Sequence, residues 1–112
     1  MSWLLRDGEV LASLEVASTR AARRKGLLGR DGIEGALLLE PARSVHTFGM
    51  RFPIDVAWCD RQLRVLRTAT VVPNRTTRAV LKAHSVIEAE AGSFAHWGLG
   101  VGDQLERRDT RG

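Results

Sequence analysis

"SWLLRDGEVLASLEVA", residues 2–17, is the stretch that decides the fold. Asp7-Gly8 stands between two apolar runs. A type I′ turn needs positive φ at both central residues, which glycine takes freely and aspartate tolerates, so Asp-Gly here predicts a tight β-hairpin. The arms are residues 3–6 and 9–17. In the second arm Val10, Ala12, Leu14 and Val16 alternate with Glu9, Ser13 and Glu15, the period of a half-buried strand. Leu11 is the one misfit. A chain that opens on a hairpin builds outward into antiparallel sheet.

The next segment, "STRAARRKGLLGR", predicts a short helix over about residues 19–28. Ser18 or Thr19 can cap it, the Ala and Arg residues favour it, and Gly26 or Gly29 ends it. "EGALLLEP" is a continuous apolar run that reads as a strand buried on both faces. Residues 54–59 and 63–72, joined by "DRQ", read as a second hairpin. "NRTTRAVLKA" is an irregular loop, "HSVIEAEAG" a further strand, "SFAHWGLGVGD" one helical turn followed by a loop, and "QLERR" a last strand. Several short strands with turn signals about every ten residues and one principal short helix give a mainly β, α+β class. The expected architecture is a small, mostly antiparallel β-barrel or rolled sheet. The chain is read as one domain over residues 1–112, with a frayed tail from about residue 108. Leu14, Val16, Leu38, Ile54, Val56, Val65 and Ile87 are its expected core.

Composition narrows the class. The 112 residues are 44% hydrophobic with three Trp, three Phe and no Tyr, so the core is mostly aliphatic. No run of about 18 apolar residues exists to span a bilayer, and the N-terminus lacks the apolar region of a signal peptide. A lone cysteine, Cys59, excludes an internal disulfide, and these features together point to a reducing, cytoplasmic setting. The net charge is +4, with 17 basic residues. The one dense basic cluster, "RAARRK", has no interleaved aromatics for base stacking, so a solvated surface is expected rather than a nucleic-acid interface.

The chemistry concentrates in "SVHTFGMRFPIDVAWCD", residues 44–60. In a strand, Ile54, Val56 and Trp58 share one face, and Asp55, Ala57 and Cys59 the other. Asp55 is therefore a carboxylate in an apolar strand, costly unless bonded or paired. It either accepts backbone N–H groups, pairs with an arginine, or serves a ligand. Arg24 at the helix end is the expected partner, with Glu88 nearby. His46, Met50 and Cys59 invite a copper reading, but no second histidine lies at ligand spacing, so no metal or other cofactor is expected. Cys59 reads as a buried, inert thiol, and neither a nucleophile elbow nor a phosphate-binding glycine motif is present.

"RRKGLLGR", "HTFGMRFPIDV", "SVIEAEAG" and "GLGVGD" resemble, in order and spacing, the signature blocks of a small bacterial and archaeal family called domain of unknown function 192. The resemblance runs from about residue 10 to residue 106. It falls on Arg24, Gly26 and Leu27, on Thr47, Met50, Pro53 and Asp55, on Glu88 and Gly92, and on Gly102 and Asp103. It implies a compact, mainly β domain and carries no assigned reaction. Many members look exported behind a leader, and the N-terminus here is read as departing from that pattern. Many also carry Trp-Met where this chain has Gly49-Met50.

Three readings follow. The first is a non-catalytic domain binding a small molecule or peptide, oriented by Arg24, Asp55 and Glu88 and walled by His46, Thr47 and Met50. The second is a small hydrolase- or lyase-like enzyme using Asp55 and Glu88 as a carboxylate pair with His46 as acid or base. In the third, these residues only lock the fold.

Overall fold

The computed structural model describes residues 1–110; the last two residues of the expected tail, 111 and 112, lie outside the described residues. The protein is mainly β. The strands are β1 (Ser2–Arg6), β2 (Glu9–Ala17), β3 (Ala36–Leu39), β4 (Ile54–Cys59), β5 (Val65–Val71), β6 (Ser85–Glu90) and β7 (Leu105–Asp109). Two short helices, α1 (Arg20–Lys25) and α2 (Ser93–Trp97), interrupt them. The strands form one sheet in the order β5-β4-β6-β3-β2-β1-β7.

The opening hairpin forms as its dipeptide dictates: Asp7 and Gly8 both have positive φ, at 52° and 78°. A shift in register between Leu4 and Leu5 leaves an extra residue on β2. That bulge turns Leu11 toward the core and leaves Val10 58% exposed, which resolves the misfit in the alternation. All strand pairs are antiparallel except β2 with β3. The chain makes that parallel step through α1 and enters β3 at Gly35, whose φ is +74°; a Cβ there would collide with the Ser13 carbonyl.

The sheet is rolled and not closed. Its edge strands β5 and β7 meet at a single bridge, Arg64 to Gln104, beside which the Val65 N–H donates to the Asp103 carbonyl at 2.9 Å. Each face carries its own apolar cluster. The inner one draws on all seven strands, through Leu4, Leu14, Leu38, Ala57, Val65, Ile87 and Leu105, with Phe94 of α2 closing it. The outer one sets Leu37, Leu39, Ile54, Val56, Trp58 and Val86 against Leu27, Met50 and Phe52 from the connections. Six of the seven expected core residues are buried, and Val16 is partly buried against the inner cluster. β3, with four consecutive buried residues, is the two-faced strand its composition predicts.

Local signals set the helices. The Thr19 side chain accepts from the Ala22 N–H at 3.1 Å, capping α1, and Gly26 ends it at residue 25, earlier than the expected 28. At the C-terminus, the expected tail is paired further than residue 108: β7 runs to Asp109, and the Thr110 N–H donates to the Met1 carbonyl at 2.7 Å. No described helix is long and apolar enough to cross a membrane.

Candidate functional site

Asp55 and Glu88 lie on adjacent strands, and the register decides their relationship. Asp55 pairs with Ala89, and Val56 pairs with Glu88. Directly paired residues share a face and successive residues alternate, so the two carboxylates lie on opposite faces of the sheet. The expected Asp55–Glu88 pair does not form. The expected Asp55–Arg24 pair does not form either, because α1 packs on the other face with the outer cluster.

Asp55 is held instead by three donors. Its Oδ1 accepts the Thr70 hydroxyl at 2.8 Å, and its Oδ2 accepts the N–H groups of Gly92 and Phe94 at 3.0 and 3.1 Å. Those amides open α2, so the carboxylate fixes that helix onto the end of the roll. A buried carboxyl bonded in this way is satisfied by its own scaffold.

Thr47 has a similar part. Its residue is fully buried; the hydroxyl donates to the Val72 carbonyl at 2.7 Å and accepts from the Arg75 N–H at 3.0 Å. It clasps the loop before β4 to the loop after β5. It is no wall of an open site.

The other four candidates converge. Arg24, His46, Met50 and Glu88 line one cavity on the outer face, between α1, the loop at residues 44–50 and β6. Its volume is about 60 Å³, space for a few water molecules at roughly 10–15 Å³ each. Arg23, Lys25 and Ser44 add polar groups at its edge, and Leu27, Leu28, Leu39 and Val45 supply apolar walls. Gly26 belongs to the design: its φ is +47°, and a Cβ would stand 3.8 Å from Glu88 Oε1, so the helix end closes directly over the carboxyl.

Glu88 is the chemically unusual member. It is 4% exposed, no hydrogen bond or salt bridge to its carboxyl forms among the described residues, and its oxygens open to the cavity, unlike the sealed and unpartnered Ser85 hydroxyl. Burial pushes its pKa up to about 7, because a desolvated carboxylate without a partner favours its neutral form. The neutral form therefore persists well above the ordinary carboxylate range, and the carboxyl can donate as well as accept. His46, by contrast, is exposed and stacks on Phe48 with ring centroids 6.0 Å apart. Met50 is buried and packs in the outer cluster as well as facing the cavity.

Sequence reasoning did not single out Lys25, Leu39 and Ser44, which are ordinary residues until the fold gathers them. Nor did it foresee the Asp103 network. Asp103 accepts from Arg6 at 2.9 Å and from the Gly100 N–H at 2.9 Å, and the Gly100 N–H, then Arg6, hold its pKa below the usual carboxylate range. That network ties the last turn to β1. Cys59 is fully buried, with its thiol pushed up to about 12 by desolvation and then by Asp60. Among the described residues no group of three or more His, Cys, Asp or Glu is gathered as a metal site.

No curated protein matches the chain. Among solved structures, a protein of unknown function from Novosphingobium aromaticivorans DSM 12444 shares the fold with a TM-score of 0.79. It is 23% identical, over 94% of this chain and 82% of that one. A candidate transcription regulator from Sinorhizobium meliloti 1021 also gives 0.79, at 19% identity over 95% of this chain and 91% of that one. At these identities the likeness speaks for the fold alone. The family model for domain of unknown function 192, described as an uncharacterized ACR, matches residues 3–107.

Proposed function

The chain belongs to the family of domain of unknown function 192, and on that premise we propose that it is a small ligand-binding domain whose site is the Glu88 cavity. One observation carries this reading: a nearly buried carboxyl with no bonded partner among the described residues opens into a cavity bordered on one side by the basic end of α1. Leaving a polar group buried and unpaired costs stability. A group held at that cost is a mark of use, because a ligand can complete what the scaffold does not. The cavity volume favours a small molecule over a peptide segment. A single buried thiol and no disulfide fit a reducing, cytoplasmic setting.

A thermal-shift screen over small metabolites tests the reading, since a ligand that binds only the folded state raises the melting midpoint. The expected result is a set of compounds that stabilise the wild type and have no effect on Val45→Trp, which fills the cavity. Stabilisation that persists in Val45→Trp, or none from any compound, contradicts it.

A second reading has one observation in its favour. A carboxyl near pH 7 is well matched to proton transfer. In that case Glu88 alone serves as the acid or base, Asp55 has no part, and a compound found in the screen is consumed on incubation.

A further inference from the structure

The cavity has two chemically different ends. At its floor is the Glu88 carboxyl, which lacks a partner. At its edge are Arg24 and Lys25, exposed, in the last turn of α1, and neither is ion-paired among the described residues. Between the ends stand aliphatic walls, Leu39 and Val45 among them. A compact molecule that satisfies the whole surface carries a cation inside, an anion outside and a short aliphatic group that lies against those walls. Resting on the binding reading above, we propose that the cavity takes a small aliphatic α-amino acid, its ammonium bonded to Glu88 and its carboxylate to Arg24 and Lys25.

Each part of the ligand has a reason. An ammonium donates charge-assisted hydrogen bonds to a carboxylate, and partial burial of Glu88 at the floor strengthens them. The outer carboxylate meets two cations, neither of which is ion-paired among the described residues. A molecule with two ammonium groups would place one against those cations, and a dicarboxylate would place one carboxylate against Glu88. The volume, about 60 Å³, suits a ligand of few heavy atoms rather than one with an aromatic side chain.

Proton linkage follows from the geometry. The charged or titratable groups lining the cavity with Glu88 are Arg23, Arg24 and Lys25 from α1 and His46 from the loop, and Glu90 follows two residues on along the same face of β6. Binding an ammonium favours ionised Glu88, whose pKa in the free protein is about 7. Binding at neutral pH is therefore accompanied by proton release.

Isothermal titration with L-alanine, ethylamine and propionate, in buffers of different ionisation enthalpy, tests the assignment. L-alanine should bind one to one with proton release, and each half-molecule about tenfold or more weakly. The variants should split in mirror fashion. Glu88→Gln weakens L-alanine and ethylamine but spares propionate. Arg24→Ala with Lys25→Ala weakens L-alanine and propionate but spares ethylamine. No binding of L-alanine or L-valine overturns the amino-acid assignment. So does a screen hit that needs the cavity yet lacks an amine or a carboxylate, although the binding reading then stands. Absence of any cavity-dependent ligand overturns both.

Discussion

Asp55 and Glu88 occupy neighbouring strands, are exposed by 5% and 4%, and point to opposite faces of one sheet. Asp55 takes three hydrogen bonds from Thr70, Gly92 and Phe94. Glu88 takes none and faces a cavity. Burial is therefore the same for both, and bonding separates them. A buried carboxylate that organises its own donors belongs to the scaffold; one left without donors is available to something else. The same contrast runs through their neighbourhoods. The α2 face is tied by backbone amides, whereas the α1 face presents unpaired cations over a void.

The largest effect expected from this contrast is at Asp55. Asp55→Ala strips three donors of their acceptor, two of them the amides that open α2. It should lower the unfolding free energy by about 4 kcal/mol in urea denaturation. A loss below about 1 kcal/mol would put Asp55 in the same class as Glu88.

Glu88→Gln should act in the opposite direction and only at high pH. The carboxyl titrates near 4.5 when unfolded and near 7 when folded. Between those values the native state holds more protons than the unfolded state, so wild-type stability falls as pH rises through the window. The full loss is about 3 kcal/mol, reached above pH 8. The variant escapes it. It should match the wild type at pH 4 and exceed it by about 3 kcal/mol at pH 9, with equal stability at both pH values counting against an unpaired carboxyl.

Thr47→Val keeps the shape and removes the clasp, leaving the Arg75 N–H and Val72 carbonyl short of a partner. A loss of about 2 kcal/mol is expected. The smallest change belongs to Arg24→Ala: with no carboxylate bonded to it, its removal should alter stability by less than about 0.5 kcal/mol. Non-additivity between Arg24→Ala and Asp55→Asn would revive their pairing.

Much of this was legible from residues alone, where the signal is local. Asp7-Gly8 specified the first hairpin, Thr19 and Gly26 bounded α1, and "ALLL" marked the central strand. Alternation in "IDVAWC" correctly separated Asp55 from Ile54 and Val56. The relation of Asp55 to Glu88 was not legible, because it depends on the register between β4 and β6, strands far apart in sequence. A one-residue slip would place both on one face. Thr47 was misread for a similar reason: its partners sit about 25 residues away, in a loop whose sequence carries no strong conformational signal. Leu11 failed to fit until the bulge opposite β1 was known. The cavity's membership, however, was partly visible, with Arg24, His46, Met50 and Glu88 drawn together from three separate segments.

The central claim is that Glu88 carries a carboxyl that the protein itself leaves unpaired. Its titration, followed by the side-chain carboxyl carbon resonance in NMR and assigned with Glu88→Gln, measures this directly. The account predicts a midpoint at about 7. A midpoint at or below the ordinary glutamate value, near 4.5, would mean that Arg24, Lys25 or another donor already holds the carboxylate, and would contradict it.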